Sequence, residues 1–320
     1  MLSAEALIPV IDAARTRAVL PLDALIERLR EAFTGGGVAP ARHHHHLPGA
    51  DGAGGVLLLM PAWHQQRLGV KIATVFPGNG DRGLPSVFST YILCDGTTGR
   101  PLALLDGNEI TARRTIAVSA LAASFLARDD AASLLIVGAG RIGQLAAAAF
   151  SIVRPIRRVM VWNRDQAKAV ALAEQLRDDG FDAQAAPSLA DAAAEADIIS
   201  CATPSTEPLI RAEWLRPGTH LDLIGSFTPV MREADDGCFS RGRVYVDTAD
   251  AIVEAGDLVG PIALGLLRES DIQGSLADLC TGRVSGRRSP DELTVFKAVG
   301  TAVADLAAAE LAWSTIGGTT

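Results

Sequence analysis

At 320 residues and 48% hydrophobic content, the chain is long enough for two domains that each bury a core, which excludes disorder as the expectation. A formal net charge of −8 excludes a nucleic-acid binder that works by neutralising a phosphate backbone, since that mode needs a dense field of Lys and Arg; a small-molecule partner fits better. The four cysteines, Cys94, Cys201, Cys238 and Cys280, have no close pair, so neither a zinc spacing nor a disulfide framework is expected, and the setting reads as reducing and cytoplasmic.

The N-terminus, Met1-Leu2-Ser3-Ala4-Glu5, carries an early acid and no basic region, unlike a secretory signal. No membrane span is expected: the longest candidate, 115–127, is too short for a bilayer and rich in Ala and Ser, as a buried helix is. Leu22, Leu25, Ile26, Leu29 and Phe33 recur at helical spacing, which predicts an amphipathic helix over 20–33. From 54 to 95 the pattern changes to short β-rich runs at 56–60, 69–75 and 87–93, punctuated by Gly, Pro and Asn, which predicts an antiparallel sheet. A turn at Asp95-Gly96-Thr97-Thr98-Gly99 leads to another apolar run at 101–105 and then to a helix from near Thr111.

After residue 130 the rhythm becomes strand, turn, helix. Strands are predicted at 133–137, 158–162, 198–201, 220–224 and 243–246, with helices such as 166–177 and 188–195 between them, the pattern of a parallel sheet. The final stretch, 291–312, reads as one long helix with Leu293, Phe296, Val299, Val303 and Leu306 on one face, packing back on the N-terminal part. The expected architecture is therefore α/β: a Rossmann dinucleotide-binding domain with a parallel sheet over 119–290, and an α+β substrate domain formed by 1–118 and 291–320.

Leu134-Leu135-Ile136-Val137 runs directly into Gly138-Ala139-Gly140-Arg141-Ile142-Gly143, and 144–150 continues as a helix. In that context Gly138 permits the tight turn, Gly140 lets the backbone approach a pyrophosphate, and Gly143 allows close helix–strand packing. Arg141 and Ile142 complete the turn, and the helix N-terminus presents free N–H groups to the anion. An acid about 20 residues further on normally takes the ribose hydroxyls of NAD(H). Here the second strand ends in Val161-Trp162-Asn163-Arg164-Asp165. Asn163 is neutral and Arg164 offers a planar donor fork to a 2′-phosphate, which favours NADP(H). Asp165, one residue on, keeps NAD(H) possible.

With these pieces in order, the chain resembles the ornithine cyclodeaminase and mu-crystallin family from about Arg42 to the last helix. The resemblance is carried by Leu59-Met60-Pro61, Val70-Lys71, Pro77-Gly78-Asn79, the Asp95 to Gly99 turn, and above all Thr111-Ala112-Arg113-Arg114-Thr115 leading into the glycine turn. It implies a dinucleotide domain plus an N-terminal α/β domain completed by the C-terminal helix, the latter forming a dimer interface, so a homodimer is expected. It also implies that Arg114 and Arg42 hold a substrate carboxylate and that Lys71 is the active-site lysine. The chemistry asks for such groups: a guanidinium fork fixes the plane of a carboxylate, and a lysine beside the neighbouring carbon can supply a proton. Without the family, Arg113, Arg114 and Lys71 would read as ordinary surface charges.

Two departures bear on the activity. Cyclodeaminases of this family carry a Gly-x-Asp after the nucleotide site and a glutamate just before the Met-Pro. This chain has Gly225-Ser226-Phe227 and Leu58-Leu59-Met60-Pro61 in those places, so two groups of the deamination are missing. The stretch from Asp222 to Asp235 is similar to the branch that reduces cyclic ketimines, Δ1-pyrroline-2-carboxylate to L-proline and Δ1-piperideine-2-carboxylate to L-pipecolate. A flat apolar wall at Phe227 suits a small ring, and Ser226 or Thr228 could orient a water or the imine nitrogen. Ser226 counts with Thr203 among the expected cofactor-side residues, because Cys201-Ala202-Thr203-Pro204-Ser205 follows a strand and is expected to pass over the nicotinamide ribose. Cys201 itself reads as core. Alternatives are an ornithine cyclodeaminase, an alanine dehydrogenase-like enzyme acting on an open-chain imino acid, or a mu-crystallin-like NADP-binding protein.

The run Arg42-His43-His44-His45-His46 invites a metal reading, but adjacent residues point in different directions and no acid or cysteine cluster accompanies them, so no metal is expected. Either His44 or His45 lies beside Arg42 as a substrate donor or proton relay, with His44 the residue chosen, or the run is a solvated loop.

Overall fold

Apolar alternation over the N-terminal third produces a sheet. The structure, a computed structural model, describes residues 7–49, 54–64 and 66–317; the stretch 1–5, judged above against a secretory signal, lies outside them. Val10–Ile11 (β1), Ala13–Ala18 (α1), Leu22–Gly35 (α2), His43–Leu47 (β2), Gly55–Trp63 (β3), Arg67–Val75 (β4), Val87–Asp95 (β5) and Pro101–Asp106 (β6) precede the long helix Gly107–Leu126 (α3). The six strands pair in the order β1-β6-β5-β4-β3-β2, antiparallel except for the short β1–β6 contact. Asp95 closes the β5–β6 turn by accepting from the N–H groups of Thr97 and Thr98, and Gly99 takes the left-handed conformation at φ 72°. Helix α3 begins a turn earlier than expected because Asp106 accepts from the Glu109 N–H and caps it there.

The following stretch alternates strand and helix: Ser133–Val137 (β7), Gly143–Val153 (α4), Arg158–Trp162 (β8), Gln166–Asp178 (α5), Asp182–Ala185 (β9), Leu189–Glu195 (α6), Ile198–Cys201 (β10), His220–Leu223 (β11), Asp236–Arg241 (α7), Arg243–Val246 (β12), Ala251–Glu254 (α8), Gly256–Ala263 (α9), Ile272–Ser275 (β13), Leu276–Cys280 (α10) and Thr294–Lys297 (β14). All eight strands are parallel, in the order β13-β12-β14-β11-β10-β7-β8-β9. From β7 the chain winds outward through β8 and β9, then returns to β10 on the other side of β7. A doubly wound sheet binds its ligand outside the carboxyl ends of the strands at such a reversal.

The stretch 291–312 is not one helix. Thr294–Lys297 is a fully buried strand between β11 and β12; Gly300, at φ 84°, and Thr301, whose side chain accepts from the Val303 N–H, then open the last helix, Ala302–Thr315 (α11). The strand is too short to show a period of its own, and Leu293, Phe296 and Val299 on either side of its centre fall at the i, i+3 spacing of a helix. The chain divides into two compact units, Met1–Arg114 with Thr301–Thr320, and Thr115–Gly300. The boundaries therefore fall at 114/115 and 300/301 instead of near 118 and 291. Within the first unit, α11 packs on α2 and on β3, β4 and β5. Among the described residues no helix is long and apolar enough to cross a membrane.

Candidate functional site

Strand pairing sets Met60, Lys71 and Tyr91 side by side on the face that α11 covers. Lys71 Nζ lies 2.8 Å from Oδ2 of Asp305 in α11, and Arg114 of α3 donates from Nε to Oδ1 of the same carboxylate at 2.7 Å. All three side chains are buried. Burial pulls Lys71 down to about 8, with Arg114 and Arg42 pushing the same way and Asp305 opposing them. Burial alone would raise Asp305, but Arg114 and Lys71 outweigh it and hold the carboxyl below its ordinary range. Two cations on one carboxylate leave a net positive centre, the electrostatics that selects an anionic ligand.

Tyr91 lies beneath this cluster, 1% exposed, and its hydroxyl has no hydrogen-bond partner among the described residues. Gly69 makes room for it, since a Cβ there would stand 2.0 Å from the Tyr91 oxygen. Further along α11, Glu310 accepts from Arg28 Nη2 at 2.5 Å and meets His64 Nε2 at 2.5 Å.

Consecutive residues on a helix diverge by about 100°, and this separates the two arginines of α3. Arg113 donates from Nε to the Leu20 carbonyl at 2.6 Å, a structural bond, while Arg114 turns to Asp305. The histidine run is a strand, β2, and its alternation splits it. His44 opposes Leu58, and Leu58 shares a face with Met60 and Lys71, so His44 and His46 are on the lysine face and His43 and His45 on the other. His44 is exposed, yet desolvation by its surroundings, then Arg42 and His46, pull it below the ordinary imidazole value, which keeps it neutral at pH 7. Arg42, half-buried just before β2, acts on both His44 and Lys71 through its charge. Among the described residues no group of three or more His, Cys, Asp or Glu is disposed to hold a metal ion.

In the second unit Gly138 has φ 108°, and a Cβ on it would stand 2.8 Å from the Ala202 carbonyl. A Cβ on Gly143 would stand 2.0 Å from the Gly138 carbonyl, whereas one on Gly140 would meet nothing within 4 Å. The turn itself thus requires the first and third glycines, and the second faces open space, as a backbone bared to a pyrophosphate must. Helix α4 starts at Gly143 without a side-chain cap, after half-buried Ile142 and exposed Arg141; the Gln144 and Leu145 N–H groups are bonded to the Gly140 and Ile142 carbonyls, so the N–H groups just ahead of them, from Arg141 to Gly143, are the ones placed to meet an anion. These residues fit the phosphates of a dinucleotide.

Asn163 is built into the same turn, accepting from the Ala139 N–H at 3.2 Å and donating to the Asp165 carbonyl at 3.0 Å. Asp165 caps α5 by accepting from the Ala167 N–H at 3.1 Å, and Arg164 is exposed. Thr203 stands at the reversal point of the sheet, its Cγ2 3.1 Å from where a Gly138 Cβ would be. The Ser226 hydroxyl, expected to serve a ligand, is fully buried and donates to the Met231 carbonyl at 2.6 Å, so it holds its own loop. Phe227 is 41% exposed. Cys201 is buried in the core, where burial pushes its thiol far up.

Sequence reasoning missed Asp305, the residue that joins Lys71 to Arg114. Its signal was present: Asp305 and Glu310 are the only charges between Thr301 and Ala312, isolated among Ala, Val and Leu. An acid in such a stretch is buried only when it is paired.

Residues 12–319 match the family model described as Ornithine cyclodeaminase/mu-crystallin family. A Delta(1)-pyrroline-2-carboxylate reductase of Paracoccus denitrificans is 41% identical over 255 residues, which covers 79% of this chain and 81% of that protein. Among solved structures, the Delta(1)-pyrroline-2-carboxylate reductase of Thermococcus litoralis in complex with NADH and L-proline is similar at a TM-score of 0.91 and 31% identity, covering 96% of this chain and 97% of its own. An archaeal alanine dehydrogenase dimer with bound NAD is similar at a TM-score of 0.89 and 27% identity, covering 96% and 95%.

Proposed function

Because the chain belongs to the ornithine cyclodeaminase/mu-crystallin family, we propose that it is a nicotinamide-dependent reductase of cyclic ketimines, converting Δ1-pyrroline-2-carboxylate to L-proline and Δ1-piperideine-2-carboxylate to L-pipecolate. The observation that carries this reading is the buried Lys71–Asp305–Arg114 cluster, a cationic centre with one proton donor poised near neutrality. The relatives named for pyrroline-2-carboxylate reduction support it, as does the loss of the two cyclodeaminase acids at Leu58 and Phe227.

Arg114, its Nε fixed by Asp305, turns its Nη edge to the ring carboxylate, and Arg42 completes the grip; His44, neutral, adds a donor on the same face. Lys71 holds a proton at the ring nitrogen, directly or through water, which keeps the imine cationic and its carbon electrophilic. The reduced nicotinamide, when bound, supplies the hydride. One hydride at carbon and one proton at nitrogen convert the C=N bond into CH–NH. Phe227, 41% exposed, replaces the carboxylate that cyclodeaminases of the family carry at this place in the sequence, which speaks against deamination.

The dinucleotide is NADP(H) in this reading. Asn163 and Asp165 both serve the local structure, while Arg164, exposed beside them, is the cation at the strand end that a 2′-phosphate would meet. The protein is proposed to be a homodimer. Leu57, Leu59, Val70, Ile72, Ile92 and Leu104 form a half-buried apolar face on the side of the first sheet opposite α11, and sedimentation at micromolar concentration reads the state.

Adding either cyclic imine to protein and NADPH should consume the cofactor and yield the matching L-imino acid. Tight NADPH binding without turnover would move the protein to the binding class. Faster turnover of pyruvate with ammonia would move it to amino-acid dehydrogenation.

A further inference from the structure

Four ionisable side chains meet in the interior of Thr115–Gly300: Asp222, Glu233, Asp257 and Lys297, each 0% exposed. Glu233 is the hub. Its Oε1 accepts from the Thr203 N–H at 2.7 Å and from the Thr203 hydroxyl at 2.9 Å, and its Oε2 accepts from the Gly225 N–H at 2.6 Å. Asp257 in turn accepts from the N–H groups of Glu233 and Ala234. Lys297, at the end of β14, places Nζ 3.3 Å from Asp257 and 4.0 Å from Glu233.

We infer that Glu233, held by Lys297 and Asp257, is a positioning residue for the nicotinamide half of the dinucleotide, fastening the loop after β10 to the loop after β11. The inference rests on the dinucleotide reading above and goes beyond it. Thr203 leaves β10 at the reversal point of the sheet, where its methyl group and the Ala202 carbonyl occupy the space a Cβ on Gly138, the first glycine of the phosphate turn, would need. Gly225 leaves β11 so close to Thr203 that a Cβ on it would stand 2.0 Å from the Thr203 carbonyl. One carboxylate thus sets the spacing of two loops and, through Thr203, of the glycine turn beside them.

Apolar side chains would fill this interior without the desolvation that buried charges carry, so stability alone does not explain the group. An ionised carboxylate can aim two oxygens at three donors in two loops, which no apolar residue can do. Lys297 supplies the compensating charge: without it Glu233 and Asp257 would be two buried carboxylates side by side.

The test separates cofactor binding from catalysis. Glu233→Gln replaces one acceptor oxygen by an NH2 group facing a donor. It should weaken NADPH binding about 10-fold in a fluorescence titration that needs no substrate. In turnover with the cyclic imine it should lower kcat about 100-fold, the effect of a displacement near 1 Å, and leave the KM for the imine unchanged. Thr203→Val removes one of the three bonds and should shift both readouts the same way by less; it decides the matter if Glu233→Gln does not fold. A lower unfolding midpoint with unchanged NADPH affinity and unchanged kcat per folded molecule, in either variant, would overturn the inference in favour of a purely structural role. A wild-type protein that binds NADPH but reduces neither imine defeats the functional reading alone, since the titration still decides the role of Glu233. One that binds neither NADPH nor NADH overturns both.

Discussion

Asp305 Oδ2 lies 2.8 Å from Lys71 Nζ, with the aspartate fully buried and the lysine nearly so. Arg114 shares the same carboxylate, so a single anion on α11 compensates two buried cations from β4 and α3. Asp305→Asn would leave both cations buried without a counter-charge, a change that typically removes about 3–5 kcal/mol. The expected result is a clear fall in the urea midpoint at pH 7, together with a further drop in the lysine's proton affinity. A loss of under about 1 kcal/mol would mean that water already screens the cluster.

Lys71 makes the pH dependence specific. Its folded value is about 8 against the ordinary 10.5, so it is charged below about 8 and neutral above. kcat/KM for the imine should therefore decline as the pH rises through about 8, the free-enzyme limb. Lys71→Met should lose roughly 10²–10⁴-fold and lack that limb. The titration of the imine itself is common to both proteins and cancels in their ratio. Stability has its own sign: between about 8 and 10.5 the unfolded chain binds more protons than the folded one, so this group's contribution rises with pH across that window and is lost as pH falls through about 8. A wild-type rate that stays flat to pH 10 would remove Lys71 from the role of proton donor.

The legible parts of the chain were those where burial imposes a pattern. Strands β7, β8, β10 and β12 lie where their apolar runs put them, and the Asp95 to Gly99 turn closes where its residues demand. The strands that escaped notice, β1, β2, β9 and β13, are the outer strands of the two sheets. An edge strand is covered on fewer sides, so its sequence need not alternate; four histidines or Asp182-Ala183-Gln184-Ala185 serve as well as valines. Strand β14 failed for a different reason: its four buried residues are too few to set a period, and Leu293, Phe296 and Val299 fall by chance at helical spacing. In the site, Lys71 and Arg114 were found through family resemblance. Asp305, Glu233 and Lys297 were not, because an ion pair between residues far apart in sequence leaves no spacing to read; for Asp305 the sign was instead its isolation among Ala, Val and Leu.

Cofactor choice turns on two adjacent residues with different duties. Arg164→Ala removes an exposed charge and should weaken NADPH about 10-fold or more while leaving NADH almost unchanged. Asn163→Asp keeps the oxygen that receives the Ala139 N–H, loses the donor to the Asp165 carbonyl, and brings a carboxylate to the strand end. It should shift preference towards NADH at some loss of order in the turn. The ratio of kcat/KM for the two cofactors in each variant checks both statements. Equal losses for NADPH and NADH in Arg164→Ala would show that the arginine does not read the 2′-phosphate.

Asp222 gives the dinucleotide unit a pH dependence of opposite sense to that of Lys71. Its Oδ2 accepts from the Ser200 hydroxyl at 2.6 Å, and burial above all pushes the acid up to about 7; Ser200, Ser119 and Lys297 pull it down, and Glu233 adds to the rise. Between 3.8 and about 7 the folded state therefore holds a proton that the unfolded chain has released, and this group's contribution to stability declines as the pH rises through that window. Asp222→Asn keeps an acceptor for Ser200 and cannot ionise. Urea midpoints measured at pH 5 and pH 8 should fall more for the wild type than for Asp222→Asn, with every other titrating group common to the pair. A variant that falls as steeply as the wild type would show that the Asp222 carboxyl already ionises near its ordinary value inside the sheet.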